Sequence, residues 1–203
     1  MTTLVIASTN VHKIREFRQM LKGFLKFEIL SLLDFPYYQA PPEDGETFED
    51  NATIKATHAA KALKALVFAD DSGLVVPILN DAPGVYSARY AGEGATDSEN
   101  RKKLLKAMAG KDEVDRAAYF ECCLVLANED GVLYQTTGRC EGRIIDEERG
   151  GNGFGYDPLF IKNDYDKTFA ELDDATKNRI SHRRKAIEKM MIFLETHAEL
   201  RSH

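Results

Sequence analysis

Ala69-Asp70-Asp71-Ser72-Gly73-Leu74 places two adjacent carboxylates and a hydroxyl at the point where an apolar run stops. Before it, Ala65-Leu66-Val67-Phe68 reads as a short buried strand. After it, Leu74-Val75-Val76 resumes the apolar character, with Gly73 free to take backbone angles that other residues avoid. The pattern predicts a strand that ends at an acidic corner bordering a cleft. Carboxylates there can hold a hard cation through oxygen or take a proton from water, two tasks that suit polyphosphate chemistry. The plainer reading is a solvated Asp-Asp turn, because Asp, Ser and Gly favour turns for local reasons alone.

Composition limits what such a corner can serve. With 203 residues and 43% hydrophobic side chains, the chain is long and apolar enough for one large domain or two small lobes with a real core, and disorder is not expected. A formal charge of -6 argues against a general nucleic-acid or membrane-surface binder, which needs a basic face. A small anionic ligand stays possible if cations are concentrated locally. Leu4-Val5-Ile6-Ala7 is too short for a signal peptide or a membrane span, so a cytosolic protein is expected. Cys122, Cys123 and Cys140 have no metal-ligand spacing, and neighbours on a strand point to opposite faces, so they read as buried reduced thiols.

On the N-terminal side of the corner, Met1 to Ala7 ends in a strand-like run. Ser8-Thr9-Asn10 then offers capping side chains before an amphipathic segment with Ile14, Phe17, Met20 and Leu21 on one side. Exposed N–H groups at that helix start attract anions, and Lys13 lies one turn in; an ordinary capped helix with a surface lysine fits the same residues. Phe27 to Leu33 reads as a second strand, and Asp34 to Glu46 as an irregular loop whose Glu43, Asp44 and Glu46 supply either solvation or a metal ligand. Thr47-Phe48-Glu49-Asp50 starts a helix that runs to about Leu63, on which Asn51 and Lys55 are one turn apart and able to face one ligand.

On the C-terminal side, Asn80 to Gly94 is a compact turn-rich segment with Tyr86, Arg89 and Tyr90. Thr96-Asp97-Ser98-Glu99 has capping-box spacing and opens a helix with Leu104, Leu105 and Met108 that reads as structural. Arg116 to Ala127 predicts a long strand, Asn128-Glu129-Asp130-Gly131 a hairpin turn, Val132 to Thr137 the return strand and Cys140 to Asp146 another, antiparallel pieces suited to a second lobe. In Gly150-Gly151-Asn152-Gly153-Phe154-Gly155-Tyr156-Asp157-Pro158 glycines alternate with aromatics. The spacing is not a dinucleotide fingerprint. Phe154 and Tyr156 offer rings for stacking on a base, or belong to a plain glycine-rich loop with core aromatics. A last helix is expected from about Asp174, with Lys177, His182 and Arg183 gathered in its first turns, where cations oppose the helix dipole.

Five motifs in order carry a resemblance over nearly the whole chain: Ser8-Thr9-Asn10-Val11-His12-Lys13, Phe48-Glu49-Asp50-Asn51-Ala52 with Lys55-Ala56, Ala69 to Leu74, Gly153 to Pro158, and Ile180-Ser181-His182-Arg183. The chain resembles the inosine triphosphate pyrophosphatases, the Ham1 or non-standard purine nucleoside triphosphate pyrophosphatase family. Pro83-Gly84-Val85-Tyr86-Ser87-Ala88-Arg89 also looks like the family's segment after the acidic corner. The resemblance implies an elongated α/β fold. It implies a mixed β-sheet with flanking helices, one domain over 1–203 with two lobes around a central substrate cleft, and usually a homodimer. It implies magnesium-dependent hydrolysis of ITP, dITP and XTP to the monophosphate and pyrophosphate, keeping deaminated purines out of nucleic acids.

Carried onto this sequence, the resemblance implies that Ser8, Thr9, Asn10, Val11, His12, Lys13 and Lys55 bind the triphosphate. It gives Ser72 a substrate contact and makes Asp71 and Glu43 magnesium ligands. Asp71 or Asp70 deprotonates the attacking water, and the family usually gives that role to the second Asp, here Asp71. Phe154, Gly155, Tyr156, Asp157, Lys177, His182 and Arg183 are implied for the base, with Phe154 suited to stacking and backbone N–H groups or Arg183 suited to a 6-oxo acceptor. A Maf-type modified-nucleotide pyrophosphatase and a non-catalytic purine nucleotide sensor are the alternatives. The Ser-His-Arg and Phe-Gly-Tyr-Asp motifs point away from the first, and retention of both aspartates with Lys13 and Lys55 points away from the second.

Overall fold

The computed structural model describes residues 3–22, 27–197 and 200. Its strands are β1 (Thr3–Ile6), β2 (Glu28–Ser31), β3 (Leu66–Val75), β4 (Ala117–Asn128), β5 (Gly131–Ile144) and β6 (Phe160–Lys162). Its α-helices are α1 (Val11–Leu21), α2 (Phe48–Leu63), α3 (Asp97–Met108), α4 (Asp174–Ile180) and α5 (His182–Thr196). The strands form one sheet in the order β2-β1-β3-β4-β5-β6. Beside β1 the pairing is parallel on both sides, with Val5 opposite Leu30 and Val67, whereas β5 and β6 are antiparallel. A sheet with both pairings and helices around it is the mixed α/β architecture that the element reading and the resemblance imply.

The chain divides into two compact units. The first takes residues 1–71, 122–138 and 183–203, and the second takes residues 72–121 and 139–182. In the first, Leu4 and Ile6 of β1, Phe17 and Met20 of α1, Phe68 of β3, Leu124 and Leu126 of β4, and Ile187, Met190 and Leu194 of α5 share one core. Phe17 meets Phe68 edge to face at 5.1 Å. In the second, Leu74, Leu104, Met108, Ile144, Tyr156 and Leu159 pack with Phe120, Phe160 and Phe169. The three cysteines are buried and none forms a disulfide, and burial pushes the Cys122 thiol upward, away from reactivity. No helix among the described residues is long and apolar enough to cross a membrane.

Four elements differ from the sequence expectation. The acidic stretch is not a turn: β3 runs unbroken from Leu66 to Val75, so Asp70, Asp71, Ser72 and Gly73 are strand residues. Local turn preference loses to tertiary partners that neutralise both aspartates. The return strand is likewise continuous over Gly131–Ile144 instead of two pieces, and β4 and β5 belong to the same sheet as β1 to β3. β2 stops at Ser31, where Asp34 accepts from the Ser31 N–H and hydroxyl and tightens the chain into a 3-10 turn. The C-terminal helix is two helices broken at Ser181, so Lys177 lies in the last turn of α4, where a cation suits the dipole, and only His182 and Arg183 begin α5.

Candidate functional site

In the first unit the site is built from the ends of short local structures. Asn10 caps α1, its Oδ1 accepting from the His12 and Lys13 N–H groups at 3.0 and 3.1 Å, and Ser8 Oγ accepts from the Asn10 N–H at 3.1 Å. Two of the helix-start donors available to an anion are thus already capped by the chain itself. Lys13 extends to Asp70, with Nζ 2.9 Å from Oδ2. Thr9, Val11 and His12 are exposed around that turn and Ser8 is half-buried.

Consecutive strand residues face opposite ways, and that separates the two aspartates. Asp70 is buried against Lys13 and Arg183, whose Nε is 3.6 Å from Oδ2, while Arg183 Nη1 donates to Glu16 at 3.0 Å. Burial pushes the Asp70 carboxyl upward, but Lys13, Arg183 and Lys55 outweigh it and hold the group well below the usual carboxylate range. Asp71 faces α2. Its Oδ1 accepts from Lys55 Nζ at 3.0 Å and its Oδ2 from Asn51 Nδ2 at 3.3 Å. Asn51 in turn accepts from the Gly45 N–H at 2.9 Å, and Lys55 also reaches Glu43 at 2.9 Å. The Asn51–Lys55 spacing therefore brings both side chains onto one carboxylate. Burial raises the Asp71 pKa, the ammoniums of Lys55 and Lys13 oppose the rise, and the net shift is upward.

Glu16, Glu43, Asp70 and Asp71 outnumber Lys13, Lys55 and Arg183 in this group, so a polyphosphate arriving alone meets surplus negative charge. Glu43 and Asp71 both turn oxygen onto one cationic centre, the Lys55 ammonium. Magnesium is held through one or two carboxylates plus water and substrate phosphates, and this oxygen donor set fits that habit.

In the second unit the glycine-aromatic motif folds back on itself. Gly153 has φ +75°, and a Cβ there would lie 2.1 Å from Asp157 Oδ2, so both backbone angle and space demand glycine. That same oxygen accepts from the Phe154 N–H at 2.9 Å and from Lys177 Nζ at 2.5 Å. Lys177 and Asp157 are only 4% and 3% exposed, a fully paired buried ion pair, and Nζ lies 4.9 Å over the Phe154 ring. His182 stacks on Phe120 at 4.9 Å. Ser72 is half-buried in β3.

Tyr156 corrects the sequence reading. Its ring is 3% exposed within the core, and its hydroxyl donates to the Ser87 carbonyl at 2.9 Å, so it offers no face for stacking. Of the backbone N–H groups considered for the base, those of Phe154, Gly155 and Asp157 are engaged by Asp157, Asp97 and the Phe154 carbonyl. Glu16, Asp97 and Arg101 escaped the sequence analysis. Glu16 had a signal, since it is a carboxylate in the buried face of α1 beside Phe17; Asp97 and Arg101 look like ordinary helix-surface charges.

The Ham1 family model matches residues 4–193. A protein of Protochlamydia amoebophila named dITP/XTP pyrophosphatase is 58% identical over 193 residues, covering 95% of this chain and 97% of that one. A Chlamydia abortus protein of the same name is 51% identical over 95% of this chain and 94% of its own. Among solved structures, a HAM1 protein from Coxiella burnetii superposes with a TM-score of 0.87 at 43% identity, over 97% of this chain and 100% of that one. The Staphylococcus aureus Ham1 protein gives 0.84 at 42%, over 96% and 99%.

Proposed function

The chain belongs to the Ham1 family, and on that premise we propose that it hydrolyses deaminated purine nucleoside triphosphates, XTP, dITP and ITP, to the monophosphate and pyrophosphate. The observation that carries the mechanism is the division of labour between neighbouring aspartates. Asp70 is locked ionised between Lys13 and Arg183, a poor base and a good anchor. Asp71, its pKa raised and its two oxygens turned to Lys55 and Asn51, is the better proton acceptor.

Asp71 takes a proton from a water whose oxygen attacks the α-phosphorus. The bond from that phosphorus to the bridging oxygen breaks, and pyrophosphate leaves with the bonding pair. Lys13, Lys55 and the Ser8 to His12 turn hold the phosphate oxygens, with Ser72 as a further substrate contact. Glu43 and Asp71 would hold magnesium, which when bound would supply neutralising charge to the triphosphate and polarise its phosphoryl oxygens. Phe154 stacks on the base above the Lys177–Asp157 pair, and Gly155, Tyr156 through its backbone, His182 and Arg183 complete the base contacts.

A 6-oxo purine presents an acceptor where adenine presents an amine. A donor facing that position therefore disfavours ATP by roughly 1 to 3 kcal/mol for the one mismatched group. If Arg183, oriented by Glu16, reads that oxygen, Arg183→Ala narrows the preference for ITP over ATP; an unchanged ratio refutes the role. The protein acts in the cytoplasm as a homodimer in this proposal, and light scattering that gives a monomer at micromolar concentration overturns the assembly. Magnesium-dependent pyrophosphate release from XTP and dITP by the purified protein is the direct test of the activity.

A further inference from the structure

Helix α3 begins with a complete capping box: Thr96 Oγ1 accepts from the Glu99 N–H at 3.3 Å, and Glu99 accepts from the Thr96 N–H and hydroxyl, each at 2.8 Å. That fixes the first turn, and two polar side chains one turn apart on the helix, Asp97 and Arg101, reach a different part of the chain. Asp97 Oδ2 accepts from the Gly155 N–H at 2.7 Å, and one turn on, Arg101 Nη1 donates to the Gly155 carbonyl at 2.9 Å. Arg101 is itself held, with Nε 3.0 Å from Glu148 Oε1. Both backbone groups of one residue are thereby gripped by two side chains of one helix turn.

The gripped residue sits at the centre of the glycine-aromatic loop. Gly155 has φ +60°, yet nothing lies within 4 Å of where its Cβ would be, so backbone angle and not space selects glycine there. On one side, the Phe154 N–H is tied to Asp157; on the other, the Tyr156 hydroxyl is tied to Ser87. The same helix holds the segment that carries Ser87, because Asn100 accepts from the Ala91 N–H at 2.7 Å and donates to the Ala88 carbonyl at 3.1 Å. We infer that Asp97 and Arg101 are positioning residues for base recognition: they hold the two peptide units that flank Gly155 in place, so that the Phe154 ring presents a fixed face to the purine.

This rests on the proposed base site, and the experiment separates the two. Pyrophosphate release from XTP, dITP, GTP and ATP is measured for the wild type, Asp97→Ala, Asp97→Asn and Arg101→Ala, with amide exchange of Gly155 followed in parallel. Asp97→Ala and Arg101→Ala raise KM for XTP and dITP by roughly tenfold with kcat little changed, the scale of one lost ordering hydrogen bond, and lower the preference over ATP. Gly155 exchange accelerates in Asp97→Ala, and Asp97→Asn, which keeps an acceptor, recovers most of the wild-type KM. Unchanged KM and selectivity in both alanine variants overturn the inference, as does a parallel fall of melting temperature, kcat and expression with selectivity intact. Should Asp97→Ala not fold, Arg101→Ala carries the same readout. A wild type that cleaves all four nucleotides equally removes the base site itself, and the inference with it.

Discussion

Asp70 and Asp71 share a peptide bond and little else. The strand's alternation sends one to Lys13 and Arg183 and the other to Lys55 and Asn51, and their carboxyl pKa values move in opposite directions. Asp71→Asn keeps the size and the contact with Lys55 but removes the proposed proton acceptor, so kcat is expected to fall by roughly 10²- to 10⁴-fold with little change in melting temperature. Full activity in that variant contradicts the assignment. The ammonium of Lys55 opposes the burial that raises Asp71, so Lys55→Met lets the carboxyl rise further. A base works only when deprotonated, and the acid limb of the kcat–pH profile is therefore expected to move to higher pH in Lys55→Met. A limb that stays put or moves down assigns that limb to another group.

At the scale of elements, the loop that closes on Asp157 depends on a glycine that no other residue replaces. Gly153→Ala meets both a positive φ and an oxygen 2.1 Å from its new methyl group, so it is expected to lower stability by about 2 kcal/mol and to raise KM for XTP. A chemical-denaturation midpoint equal to wild type contradicts this reading of the turn. Sequence pattern located most elements where residue preference and tertiary need agree, as at the Thr47–Asp50 and Thr96–Glu99 capping boxes and the Asn128–Gly131 turn. It failed where they disagree. Asp-Asp-Ser-Gly has every local reason to turn and is held extended by ion pairs from distant residues, a cause invisible in a local window. The break at Ser181 likewise hid inside an apolar periodicity that α4 and α5 continue across it. Of the candidate site, the motif order points to Lys13, Lys55, Asp71 and Asp157, which the structure places in its ion pairs. Asp97 and Arg101 were not legible, because their partner is a backbone group, which leaves no trace in side-chain pattern.

At the scale of the whole molecule, ionisation of Asp70 links the charge cluster to folding. Its folded pKa lies below the ordinary 3.8, so its contribution to stability is full above that value and is lost as pH falls through the lowered one. Asp70→Asn leaves Lys13 and Arg183 facing a neutral amide and is expected to cost roughly 3 to 5 kcal/mol near neutral pH. The gap between variant and wild type shrinks as pH drops from 5 towards 2, and urea unfolding in the presence of a chelator at several pH values measures it. A gap that widens towards low pH contradicts the sign. In the proposed mechanism, an Asp71-centred phosphate site and a base-selective loop give this Ham1 protein its pyrophosphatase activity on deaminated purines. Its most direct test is pyrophosphate release from XTP, dITP, GTP and ATP side by side, with and without magnesium. Rapid magnesium-dependent release from XTP and dITP with little from GTP or ATP is the predicted result; equal release from all four contradicts the base-site account, and no release from any points to a nucleotide sensor instead of an enzyme.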